Sequence, residues 1–203
     1  MAPRDLVPVA SWVALRGRCR HCAHALGAFY PAIEIAAAIV ALWSASVAAG
    51  APMWAGDVLG WTLLALAGID FRSYVLPDFL TLPLVPAGLI ATWAIAPGML
   101  AANAIGAVAG FAFIAAVRAI YRLARGREGI GLGDAKLLAA AGAWIGWSGL
   151  PSVLLVASLS GLGFALLRAA RKGTLSSTDR IPFGPFLCLG IWIVWLYGPL
   201  TVG

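Results

Sequence analysis

The sequence predicts an all-α fold, a polytopic transmembrane helical bundle of about seven spans. Three observations predict it. The chain is 62% hydrophobic and only 11% charged, against about 25% charged residues in an average soluble domain. Seven apolar stretches of nearly membrane-spanning length can be read along it. With those seven spans, every Lys and Arg falls on one side of the membrane.

The elements follow in order. Residues 1–29 carry Arg4, Arg16, Arg18 and Arg20 and lack a long apolar run, so they read as a short cytoplasmic segment and not as a cleavable signal sequence. That segment holds a single CxxC, Cys19 to Cys22. Residues 30–203 read as the membrane domain. Its stretches are roughly 30–49, 53–69, 79–96, 100–121, 134–148, 150–168 and 181–202. The third follows Pro77 and Asp78, which suit a helix start. The fifth is the shortest and is amphipathic at its start. Ala and Gly are abundant within the stretches, as close packing of membrane helices requires.

Charge then orients the bundle. The turns at 50–52, 97–99 and 149 contain no Lys or Arg. The other connections hold Arg72, Arg118, Arg122, Arg125, Arg127, Lys136, Arg168, Arg171, Lys172 and Arg180. Positive charge marks the cytoplasmic side, so the N-terminus is expected inside and the C-terminus outside. The same rule accounts for the net charge of +6 without nucleic acid as a partner.

Elimination narrows the chemistry. The histidines, His21 and His24, both precede the first stretch, and there is no HExxH. A zinc protease within the membrane and a Ser–His protease are thereby disfavoured. A Ser–Lys pair has only Lys136 and Lys172 to draw on, both at the cytoplasmic edge. Carboxylates remain: Asp5, Glu34, Asp57, Asp70, Asp78, Glu128, Asp134 and Asp179. Asp70 ends the second stretch and Asp134 opens the fifth, so both are expected at the cytoplasmic edge, each with a basic residue two positions later. Acids near lipid are costly and usually functional. Two carboxylates facing one water are the equipment of an aspartic peptidase. An Asp at a helix start also reads as an N-cap, and one at a span end as a solvated group. The residues alone leave these readings open. Glu34 and Asp57 read as helix–helix hydrogen bonds or proton-handling groups.

Gly131-Leu-Gly-Asp134 resembles the GxGD signature of intramembrane aspartic proteases. Its neighbours are more specific. Asp70-Phe-Arg-Ser-Tyr-Val-Leu-Pro-Asp-Phe-Leu-Thr-Leu-Pro-Leu84 is similar to the first-aspartate segment of bacterial type IV prepilin peptidases, and Gly131-Leu-Gly-Asp-Ala-Lys-Leu137 to their second. Ile181-Pro-Phe-Gly-Pro-Phe-Leu187 resembles the opening of their last span, and Tyr30-Pro-Ala-Ile-Glu34 the entry to their first. Presenilin-like proteases fit less well, because Ile69 rather than Tyr precedes Asp70 and no Pro-Ala-Leu occurs.

The resemblance implies an aspartic endopeptidase with Asp70 and Asp134 as the catalytic pair. Its substrates and partners would be type IV prepilins or type II secretion pseudopilins, cut after the leader's terminal Gly at the cytoplasmic face of the bacterial inner membrane. Peptide cleavage would need no cofactor. Asp78 would belong to the motif as an N-cap or a substrate-loop hydrogen bond, and Lys136 would tune Asp134 or, the favoured reading, snorkel to the headgroups. The family commonly begins with an extra span and two CxxC pairs that bind zinc. Here the extra span and first pair are expected to be missing, by shortening or a misplaced start. Zinc at Cys19 and Cys22, with His21 and His24 as cramped further ligands, competes with an empty reduced pair. Cys188 is expected to pack as a small hydrophobe. Methylation by S-adenosylmethionine is doubtful with the cytoplasmic segment cut down. Two rivals stand beside this reading. One is a small transporter or channel using Asp57, Asp70 and Asp134 as proton or cation sites, which wants acids spread through the bilayer. The other is an inactive assembly partner.

Overall fold

The computed structural model describes residues 7, 9–126, 131–172 and 181–200. The sequence readings at Arg4, Asp5, Arg127, Glu128, Asp179 and Arg180 lie outside the described residues. A short helix α1 (Ala10–Ala14) is followed by α2 (Phe29–Val47), α3 (Ala51–Ser73), α4 (Asp78–Ile95), α5 (Leu100–Arg125), α6 (Leu132–Ile145), α7 (Leu150–Lys172) and α8 (Gly184–Tyr197). Helices α2 to α8 coincide with the seven apolar stretches. No strand occurs among the described residues, only an isolated bridge between Arg18 and Ala25.

Five of the helices are long and apolar enough to cross a membrane, namely α2, α3, α4, α7 and α5 with the turn before it. Helices α6 and α8 have 14 residues each, a rise of about 21 Å against a hydrocarbon core of about 30 Å. The reason α6 is short and lacks a polar face is its position. Every residue from Leu137 to Trp144 is buried, so protein and not lipid surrounds it, and no amphipathic pattern is needed. Outward faces are apolar instead: Leu42, Val108 and Leu167 are all exposed.

Local signals set the helix ends. Pro52 is the second residue of α3 and Pro185 the second of α8, first-turn positions where a missing N–H costs nothing. Helix α5 stops at Gly126, which takes the left-handed conformation with φ 64°. Helix α4 keeps its course through Pro83 and Pro86.

Apolar burial drives helix association weakly in lipid, so small residues and polar contacts must hold the bundle. At the crossing of α5 and α6, a Cβ on Gly142 would strike the backbone of Gly106, and one on Gly110 would strike the carbonyl of Leu138. Where α4 meets them, Asn103 Nδ2 donates to Thr92 Oγ1 at 2.7 Å and to the Ala143 carbonyl at 3.1 Å. Trp144 Nε1 donates to the Leu84 carbonyl at 2.8 Å, and its indole lies over Gly88. On the other side, Leu59, Leu63 and Leu66 of α3 are buried, and the Trp192 ring of α8 rests on Gly60.

The N-terminal segment docks on this bundle. Glu34 Oε2 accepts from the Val9 N–H at 2.7 Å, and Trp12 Nε1 donates to the Leu26 carbonyl at 3.1 Å. Of the two expectations for Glu34, the hydrogen bond is the one seen, although it ties α2 to the preceding segment and not to another span.

Candidate active site

One end of the bundle brings four distant segments together. Asp70 lies in the last turn of α3 and is buried, 6% exposed. Its Oδ2 accepts the backbone N–H of Gly184, the first residue of α8, at 3.1 Å. Asp134 is half-buried in the first turn of α6, and it accepts the backbone N–H of Gly131. Gly131 itself is the N-cap, so Asp134 is the third helical residue reaching back to it, as the acidic member of a capping box does. The N-cap reading of Asp134 is therefore replaced by this one. Each carboxylate thus takes a backbone N–H at the start of a helix, where the helix dipole favours negative charge.

One side chain packs beside the neighbours of both acids. Leu76, in the link between α3 and α4, is buried. A Cβ on Gly133 would lie 2.9 Å from Leu76 Cβ, and one on Gly184 would lie 3.3 Å from Leu76 Cδ2 and 2.6 Å from Asp70 Oδ2. Leu76 therefore sits against the glycine beside Asp134 and the glycine bonded to Asp70. The two carboxylates are within electrostatic reach of each other, and Cys188, one turn beyond Gly184, is within reach of both. Cys188 is buried, as expected of a small hydrophobe. Aromatic rings close the outer flank: Phe71 meets Phe164 at 6.2 Å between centroids, and Phe164 meets Phe186 at 5.5 Å.

The basic neighbours of the two acids point elsewhere. Arg72 lies 3.5 Å from the Phe29 ring centroid, a cation–π contact that joins α3 to α2. Lys136 reaches across to α4. Its Nζ meets Asp78 Oδ1 at 2.6 Å. Asp78 is the first residue of α4 after the N-cap Pro77, with no side-chain cap bond, so the N-cap expectation for Asp78 is also corrected. Asp57 lies near the opposite end of α3, about 20 Å along the axis from Asp70, buried with Oδ1 unbonded. The acids thus divide into two at one end and one far from them.

Zinc does not fit the residues described. A structural site wants four ligands. Among the described residues, no group of three or more His, Cys, Asp or Glu side chains is placed to hold a metal. His21, Cys22 and His24 are exposed, while backbone bonds such as Cys19 N–H to the His24 carbonyl at 2.9 Å shape the loop.

The family model described as "Type IV leader peptidase family" matches residues 57–166, a stretch that includes both acids, Leu76 and the Asp78–Lys136 pair. The chain belongs to the type IV leader peptidase family. A second model of that family, "Bacterial Peptidase A24 N-terminal domain", matches residues 1–47. A "Prepilin leader peptidase/N-methyltransferase" of Burkholderia pseudomallei (strain 1026b) is 45% identical over 187 residues, covering 91% of this chain and 60% of the relative. Proteins of the same name from Aeromonas hydrophila and Pseudomonas aeruginosa are 42% and 40% identical, covering 95% and 97% of this chain and 66% and 68% of the relatives. The chain therefore spans about two thirds or less of the length of the first of these family members. No solved structure matches. Family membership and five apolar helices make the chain an integral membrane protein.

Sequence reasoning assigned no role to Gly184 or Leu76. Gly184 had a signal in the Ile181-Pro-Phe-Gly-Pro segment. Leu76 lies within the Asp70–Leu84 segment, but one Leu among many carries no pattern that singles it out.

Proposed function

We propose that this chain is an aspartic endopeptidase that cleaves the leader from prepilin-like proteins at the cytoplasmic face of the bacterial inner membrane. Residues 1–29 form its short cytoplasmic segment and residues 30–203 its membrane domain, with the N-terminus inside and the C-terminus outside. Asp70 and Asp134 form the working pair. The observation that carries the reading is that two carboxylates from opposite ends of two different helices each take a backbone N–H, while Leu76 packs against the glycine beside one and the glycine bonded to the other.

Two carboxylates that share one water do not both ionise, so in this reading the pair holds one proton. The ionised carboxylate takes a proton from a water molecule as its oxygen attacks the scissile carbonyl carbon. The protonated carboxyl gives its proton to the carbonyl oxygen. Collapse of the tetrahedral intermediate breaks the C–N bond, and a proton passes to the leaving amine. Binding of an extended peptide is compatible with the exposed backbone at Gly131. The name of the relatives joins an N-methyltransferase to the peptidase. The groups assembled here serve hydrolysis, and the proposal is confined to that reaction, which uses no cofactor.

The test is direct. The purified protein in detergent or bilayer is incubated with a prepilin bearing its leader, and the shortened product is followed by mass spectrometry. Asp70→Asn and Asp134→Asn should each abolish cleavage while expression and folding persist. Normal processing by either variant would show that the pair is wrong.

A further inference from the structure

We infer that the Asp78–Lys136 ion pair is a positioning latch that holds the start of α6, and with it Asp134, in register against Asp70. The inference rests on the assignment of those two acids made above.

Lys136 lies on α6 just after Asp134, and Asp78 opens α4 just after the link that leaves α3 beyond Asp70. Their 2.6 Å contact therefore closes a ring: α3 with Asp70, the link with Leu76, Asp78, Lys136, and back to Asp134 on α6. Leu76 fills the inside of that ring between Gly133 and Gly184. The apolar wedge sets how close the two helix ends come, and the ion pair keeps them from sliding along each other.

Helix electrostatics argue against a stabilising role for the lysine by itself. A cation near a helix N-terminus opposes the dipole, whereas Asp78 at the start of α4 complements it. Lys136 thus gives nothing favourable to its own helix and is placed for its partner. Its side chain is 19% exposed while that of Asp78 is 59% exposed. Pairs with an exposed partner contribute little to stability, typically under about 1 kcal/mol. What the pair does contribute is direction, and misplacement of a reacting group by about 1 Å can cost on the order of a hundredfold in rate.

The test is a double-mutant cycle of Asp78→Asn and Lys136→Met in the full-length protein, with leader cleavage read as kcat and KM separately and folding read by thermal melting in detergent. Each single variant should lose about ten- to a hundredfold in kcat with KM little changed. The double variant should be no worse than either single, since both remove the same contact. Lys136→Arg should recover most of the loss, and the pH dependence of kcat should keep its shape in every variant. Losses that multiply in the double variant would overturn the latch. So would full kcat in Lys136→Met, a restored maximal kcat at a shifted pH, or loss of the folded protein in both single variants. Failure of the underlying assignment reads differently, as cleavage that persists in Asp70→Asn or Asp134→Asn.

Discussion

Gly184 donates its backbone N–H to Asp70 Oδ2 at 3.1 Å, and the same approach leaves no room for a side chain at position 184. A methyl group there would lie 2.6 Å from that oxygen. The carboxylate is the movable end of a side chain, so it would swing away while the helices stay in place. Gly184→Ala is expected to lower kcat about ten- to a hundredfold through this displacement. Its melting temperature should stay within a few degrees of the parent, because Ala is a better helix former than Gly. Parallel assays of leader cleavage and thermal unfolding check both parts.

The shared proton fixes the form of the pH profile. Cleavage needs one carboxyl protonated and one ionised. Acid that protonates both removes the base, and alkali that ionises both removes the acid, so kcat should fall on both sides of a maximum. A single-turnover series across pH with a saturating prepilin checks this, and a profile with only one limb would contradict a working pair.

The contact between α5 and α6 is the least forgiving in the bundle. A Cβ at Gly142 would meet Gly106 backbone, which has no rotamer by which to escape. Gly142→Ala should therefore destabilise by about 1–3 kcal/mol or more, as overpacking does. Gly163 on α7 has nothing within 4 Å of the same added atom, so Gly163→Ala should be neutral or slightly stabilising. Melting curves of the two variants side by side distinguish this packing effect from a general intolerance of glycine replacement.

With no third ligand beside them among the described residues, Cys19 and Cys22 are expected to hold no stoichiometric zinc. Elemental analysis of pure protein should find well under one zinc per chain, and Cys19→Ser with Cys22→Ser should cleave at the parent rate. About one zinc per chain would reverse this expectation.

The helical framework was legible because lipid imposes it. Seven apolar stretches became α2 to α8, with boundaries shifted by a few residues. The two acids were legible as candidates because a charged residue at a span end is conspicuous in so apolar a chain. What surrounds them was not. Lys136 pairs with Asp78, a contact that depends on which helix lies opposite. Asp134 is an acceptor at the third residue of the first turn and not the N-cap, which hinges on where α6 begins within the Gly131-Leu-Gly run. Gly184 and Leu76 matter through distances across the fold, and no local pattern encodes those.

Leu76 touches two glycine beds at once, and that ties three sites into a single unit of heredity. A bulkier residue at 76 would press on 133 and 184 together, while a smaller one would leave both unsupported. Lineages that change one of these positions should therefore carry matched changes at the other two, so sequence drift among the relatives ought to move this trio jointly or leave it alone.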